Sequence, residues 1–318
     1  MQDKFRFLGQ LPQEMGIETA AHLATPDLIR LSMTSKGHRA FFKPVLEERK
    51  VLQKFIHHLV RGEHNAVKEM LKKDINLMVK RDQVTDCSDR TFPFISGFEY
   101  ALWALDKHMW TMMLDCLPKN EQGNKIFVQL LSQYNRVNTD GVTYRLHGKT
   151  ITEKHFDFKN TIIKELQTQT NFIMASYWNT ISYTQWLEGV GGAQKLLPMH
   201  VVDEYCSSEP FYTGPQFTSQ PKSSRQFFNW MTGKYENWFG PDSQLAIDFA
   251  IVKVEEAQAW WDWRGWGEDG GWRALQTDVD AMTVLCEVRM QDFINLKSQL
   301  EEQVTLNNCH QIAQIVPR

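Results

Sequence analysis

Four short apolar stripes at helical spacing follow one another between residues 52 and 117. Leu52, Phe55, Ile56 and Leu59 form the first, which ends at Arg61-Gly62. Val67, Met70 and Leu71 form the second, closed by Lys73-Asp74. Phe98, Ala101, Leu102 and Leu105 make the third, and Trp110, Met113, Leu114 and Leu117 the fourth. Residues three and four apart share one side of a helix, so each stripe predicts a short amphipathic helix. Helices this short are marginal alone and gain stability by packing their apolar faces together. The chain is thereby constrained to a mostly α fold built on helix pairs. The polar stretch 80–90 between the second and third stripes reads as a loop.

The flanking sequence extends this reading. Leu11-Pro12-Gln13-Glu14 is a helix start, with Pro tolerated in the first turn and Glu favoured by the helix dipole. Thr25 is placed to cap a second helix that begins at Pro26, carries Leu28 and Leu31 on its apolar face and is expected to end near Gly37. Residues 126–134 read as helix. Val142, Tyr144 and Leu146 alternate before His147-Gly148, which predicts a small β-hairpin with Thr150–Thr152 on its return strand. The pattern is helical again from Phe158, is punctuated at 189–192 and gives way to a Pro-rich loop at 209–221. Residues 243–261 and 272–303 are long helix candidates. Val279, Met282, Cys286, Met290, Phe293 and Leu300 lie on one face of the latter.

Composition narrows the function classes. The 318 residues are 42% hydrophobic and 23% charged, which fits a folded globular chain. A formal net charge of −3 lacks the basic footprint of a nucleic-acid binder. Cys87, Cys116, Cys206, Cys286 and Cys309 form no CxxC pair, so reduced thiols are expected rather than a disulfide framework or a zinc site. The N-terminus has no apolar signal region and no segment approaches a membrane span of ~20 apolar residues. All eleven Trp lie after residue 102.

Residues 11–42 resemble an F-box. The resemblance rests on Leu11, Pro12, Glu14, Met15, Leu23, Pro26, Asp27, Leu28, Leu31, Ser32, Lys36 and Phe42, and departs from the family pattern at Gly16, Thr19, Ser35 and His38. It implies a three-helix module that docks onto the Skp-type adaptor of a cullin–RING ubiquitin ligase through Leu11, Pro12, Met15, Leu28 and Leu31. Residues 51–117 resemble degenerate ankyrin repeats, on Arg61-Gly62-Glu63-His64, Val67, Met70-Leu71 and Phe98-Glu99-Tyr100-Ala101. The combination looks like the host-directed effectors of Legionella-like intracellular bacteria. That resemblance implies export by a type IV route, with a signal in the polar C-terminal tail, and work in a host cytoplasm. The organisation expected is an F-box-like domain at 1–46, ankyrin-like repeats at 47–120 and a helical target-binding domain at 121–318.

Signals of chemistry are sparse. His200 and Cys206 suggest a thiol nucleophile, but at six residues apart on one helix they point in different directions. His155 and Asp157 share a face only if the chain is extended. Gly189-Val190-Gly191-Gly192 lacks the spacing of a phosphate loop. The segment Trp260, Trp261, Asp262, Trp263, Trp266, Glu268, Asp269 and Trp272 admits three readings. Its rings are packed inside, or anchor a host protein, or, with the carboxylates, hold a sugar. Pairs such as Lys72-Lys73 and Lys80-Arg81 are expected to be solvated faces. No catalytic residue, metal or cofactor is expected. The chain is read as a non-enzymatic adaptor, with Trp260, Trp261, Trp263, Trp266 and Trp272 in target binding. The alternatives are a stoichiometric host-protein binder acting without ubiquitin, and a carboxylate-based enzyme or sugar binder.

Overall fold

The computed structural model describes residues 25–175, 180–229, 231–253 and 268–315, together with positions 15, 16, 18, 20 and 23; in the last helix, side chains are described from 273 to 305. The fold is mostly helical with a small antiparallel sheet. The helices are α1 (Thr25–Ser32), α2 (Lys36–Val60), α3 (His64–Lys73), α4 (Gly97–Ala104), α5 (Lys107–Asp115) and α6 (Glu121–Asp140). They continue with α7 (Lys164–Met174), α8 (Thr180–Thr184), α9 (Gly192–Lys195), α10 (Met199–Tyr205) and α11 (Glu268–Ile315). Two π-helical turns, Lys159–Ile163 and Gln185–Gly191, precede α7 and α9.

The four stripes between 52 and 117 become the second half of α2, then α3, α4 and α5. Gly37 does not end a helix. The break falls at Met33-Thr34, and Ser35 caps α2 by accepting from the His38 backbone N–H at 3.0 Å. Pro44 lies inside α2 and removes one backbone hydrogen bond without ending the helix.

The expected loop at 80–90 is instead β1 (Arg81–Thr85) and a tight turn. It pairs with β2 (Thr91–Ser96) and then with β3 (Val142–Leu146) and β4 (Lys149–Glu153), in the order β1-β2-β3-β4. Charged residues hide the strand in the sequence, because β1 is one-sided and only Val84 is buried. The turn is fixed by Asp86, whose Oδ1 accepts from the backbone N–H groups of Ser88 (2.9 Å) and Arg90 (3.0 Å). The β3–β4 hairpin forms as the alternation indicates, with Tyr144 opposite Ile151. A second, two-stranded sheet pairs β5 (Gln226–Asn229) with β6 (Lys234–Asn237).

Residues 243–253 are not helical. Leu245, Phe249, Ala250, Ile251 and Val252 are all buried, which a one-faced helix cannot achieve with four consecutive residues. The Gln194 side chain satisfies the backbone there, donating to the Ile251 carbonyl (2.6 Å) and accepting from its N–H (2.9 Å). The rest of that helix candidate, 254–261, lies outside the described residues.

Two apolar clusters organise the described residues. The main one runs from Leu52 to Leu300. A small one holds Ala20, Leu28, Phe42 and Val45, with Leu23, Leu31, Phe41 and Leu46 against it. Helix α2 passes from the small cluster to the main one between Val45 and Leu52. Helix α11 packs across α6 and α7, and Tyr134 stacks on Phe293 at 4.6 Å while donating to its carbonyl at 3.0 Å.

Candidate functional site

The small N-terminal cluster separates inward from outward side chains. Leu28 is fully buried against α2 and Leu31 is half-buried, so Leu28 serves the cluster and presents nothing to a partner. This corrects the expectation that it lies on the docking face. Helical spacing turns their neighbours outward instead: Ile29 is 44% and Met33 77% exposed. Met15, another expected docking residue, is 54% exposed. Leu11 and Pro12 lie outside the described residues. Beside Ile29, a groove of about 970 Å³ runs between α2 and the first strand pair, reaching Val45, Leu52 and the exposed Phe94.

Trp260, Trp261, Trp263 and Trp266 also lie outside the described residues. Trp272 belongs to the α11 backbone, and its side chain, like those of Asp262, Glu268 and Asp269, is outside them as well.

The body holds buried charge that the sequence reading missed. The Glu99 carboxylate is inaccessible; it accepts from Arg81 at 2.6 and 2.8 Å and pairs with Arg136 at 2.7 Å. Glu99 also closes a capping box at the start of α4 with Ser96. Arg90 is enclosed by the rings of Trp103 (5.1 Å), Phe156 (5.4 Å) and Tyr144 (5.7 Å) and pairs with Asp86 at 3.0 Å.

A larger network joins distant elements. Arg289 of α11 donates to the Phe217 carbonyl (2.9 Å) and to His108 Nε2 (3.0 Å), and pairs with Glu204 of α10 at 3.4 Å. Lys253 donates to the Glu204 carbonyl (2.5 Å) and Ser207 Oγ (2.8 Å), with its ammonium 4.5 Å from the centre of the Phe211 ring. Both Asp278 carboxyl oxygens accept from the Lys253 backbone N–H at 3.2 Å. Burial dominates the electrostatics. It raises the Glu204 carboxyl to about 7 against Arg289 and Lys253. It lowers the Lys253 ammonium to about 8 against Glu204 and Asp278. It drives Asp278 well above the usual carboxylate range. Burial, then Arg289, brings His108 down to about 4. These groups have the connectivity of a clasp between elements.

The His200–Cys206 and His155–Asp157 pairs, which the spacing in the sequence disfavours, make no hydrogen bond to each other. His200 Nε2 meets the Ala104 carbonyl at 2.6 Å, with no hydrogen bond to Cys206, whose thiol burial pushes up to about 12. Asp157 takes the Asn160 backbone N–H at 3.0 Å and acts as a cap, while His155 meets the Phe156 carbonyl at 3.2 Å. A cleft of about 860 Å³ is bordered by Cys87, Asp89, His147, Glu188, Lys195 and Phe239. Burial holds the Cys87 thiol up at about 11, which leaves it unsuited to nucleophilic attack at neutral pH. Among the described residues no group of His, Cys, Asp or Glu is placed to hold a metal ion, and no helix is long and apolar enough to cross a membrane.

Residues 161–300, which carry most of this clasp, match the family described as the CBUA0006 C-terminal domain. That span contains Glu204, Lys253, Asp278 and Arg289. The chain as a whole belongs to the CBUA0006 family. It is 33% identical over 275 residues to the protein CBUA0006 of Coxiella burnetii (strain RSA 493 / Nine Mile phase I), a match that covers 79% of this chain and 76% of that protein. No solved structure matches the chain.

Proposed function

We propose that this protein is a non-enzymatic, host-directed bacterial effector whose N-terminal helical unit docks onto the Skp-type adaptor of a cullin–RING ubiquitin ligase, while the rest of the chain holds a host protein for modification. The single observation that carries the reading is the sidedness of the N-terminal unit. A small cluster closes inward on Leu28, Phe42 and Val45, while Ile29 and Met33, one turn apart on α1, stay exposed, as does Met15. Exposed apolar side chains grouped on a small module are what a helical docking surface needs. The F-box resemblance of residues 11–42 supports the identity of the partner, and the bacterial relative supports the source class. The helix pairs that resemble ankyrin repeats fit a binding body. The raised thiols of Cys87 and Cys206 support a role without nucleophilic chemistry. On this reading the protein travels by a non-Sec route into the host cytoplasm.

The test is retention of purified Skp-type adaptor on the immobilised full chain. The wild type retains it, and Ile29→Asp combined with Met33→Asp abolishes retention while the thermal midpoint stays in place. Equal retention by both proteins, or by neither, contradicts the reading.

A further inference from the structure

The outward face of α2 carries a line of cations. Lys36, Arg39, Lys43, Lys50 and Lys54 are all exposed. At 100° per residue they fall within an arc of about 60°, and they extend over ~27 Å of helix. Glu47, about 20° outside that arc, is the acidic residue nearest the line and falls between the third and fourth cations along it. None of the five cations is engaged in an ion pair or hydrogen bond among the described residues. Exposed Val51 lies one turn beyond Glu47 on the flank of the line. The charge is regional: residues 25–61 hold eight Lys and Arg against three Asp and Glu, a formal +5 in a chain whose total is −3.

We infer that this face of α2 is a docking surface for an acidic helix of a partner protein, laid alongside α2 with carboxylates opposite the two cation groups and a basic residue opposite Glu47. Charge complementarity sets the partner's sign, and the geometry sets its form. The cations recur at three-, four- and seven-residue steps, so a second helix alongside offers side chains at the same rise. The opposite face of α2, with Phe42, Val45, Leu52, Phe55, Ile56 and Leu59, is already buried in protein. It is therefore not available to enter a bilayer, as an interfacial amphipathic helix requires. The line also has no aromatic ring on which a base could stack, and Glu47 opposes a phosphate chain at its centre. The cations lie on α2, whereas Ile29 lies on α1, and the inference needs neither the Skp-type adaptor nor ubiquitin transfer.

The experiment uses the full chain and a fluorescent helix-forming peptide of about 20 residues, with Glu at the matching steps and one central Lys. A peptide of the same composition in scrambled order, phosphatidylserine-containing vesicles and a single-stranded DNA oligonucleotide serve as comparisons. The ordered peptide is expected to bind more tightly than all three. Raising the salt from about 0.05 M to about 0.3 M should weaken it. Lys43→Glu combined with Lys50→Glu should reduce its affinity by about tenfold or more, with the fold unchanged because both side chains are exposed. Lys43→Gln with Lys50→Gln should give an intermediate loss. Absence of peptide binding, equal binding of the scrambled peptide, tighter binding of vesicle or DNA, or indifference to the reversals overturns the inference. Adaptor retention by the Lys43→Glu, Lys50→Glu protein reads the earlier proposal separately.

Discussion

The N-terminal unit and the body treat charge and apolar surface in opposite ways. The body encloses ionic groups: Glu99, Arg90 and Arg289 are all buried and held by named partners. The N-terminal unit leaves its cations in solvent along α2 and its Met15, Ile29 and Met33 side chains exposed. A buried ion pair adds little net stability over an apolar pair, yet removing one partner is costly, so such pairs enforce one arrangement of the elements they join. Side chains exposed to solvent, such as Ile29 and Met33 and the five cations of the α2 line, add little to the arrangement of the chain. The contrast separates a body held by buried charge from an N-terminal unit with exposed apolar and cationic side chains, which is the side that the proposed docking would use.

The contrast breaks first if the body tolerates loss of a buried charge. Glu99→Ala strands Arg81 and Arg136 and should cost about 3–5 kcal/mol, read as a large fall in the urea midpoint. Next, Phe42→Ala should remove about 3 kcal/mol or more from the small cluster. Because that cluster is separate from the main core, the loss should appear as faster proteolysis between residues 15 and 46, with a smaller change in the unfolding of the body.

A third effect concerns acid. His108 stays neutral in the fold down to about pH 4, because burial and the Arg289 guanidinium oppose its proton, whereas the unfolded imidazole takes one near 6.5. The unfolded chain therefore binds more protons through this residue between those values, and stability falls as pH drops from 6.5 to 4. Glu204, raised to about 7, works in the opposite direction, since its native carboxyl keeps a proton that the unfolded one has lost. His108→Gln should make the loss of stability toward pH 4 shallower, measured by urea unfolding at a series of pH values. The smallest effect belongs to the surface: Lys36→Gln should change stability by no more than about 0.5 kcal/mol.

How much of this was legible in the sequence follows the same division. Helical stripes with one apolar face announced α2 to α5 and α11, and alternation announced the β3–β4 hairpin. Strand β1 did not show, because its sequence Arg-Asp-Gln-Val-Thr buries one residue and its polar groups face solvent or Glu99. The helix expected at 243–261 failed over its described part because Leu245 and Phe249 to Val252 are buried all round and their backbone is satisfied by a distant glutamine. The buried ionic clasp had no local signature. Arg289, Glu204 and Lys253 are far apart in sequence, and each reads alone as an ordinary surface charge. Lys36, Arg39, Lys43, Lys50 and Lys54 are visible one by one in the sequence, but their shared face required the helix boundaries. The F-box resemblance puts Leu28 on a docking face, whereas packing against α2 turns it inward.

The central claim is that encounter with the Skp-type adaptor is confined to the N-terminal unit while the body keeps its arrangement. Amide hydrogen exchange of the full chain, alone and with the adaptor, tests it most directly. New protection is expected in α1 and the first half of α2, with exchange in α4, α6 and α11 unchanged. Protection that appears in the body and leaves residues 25–46 unaffected, or no change anywhere at saturating adaptor, contradicts it.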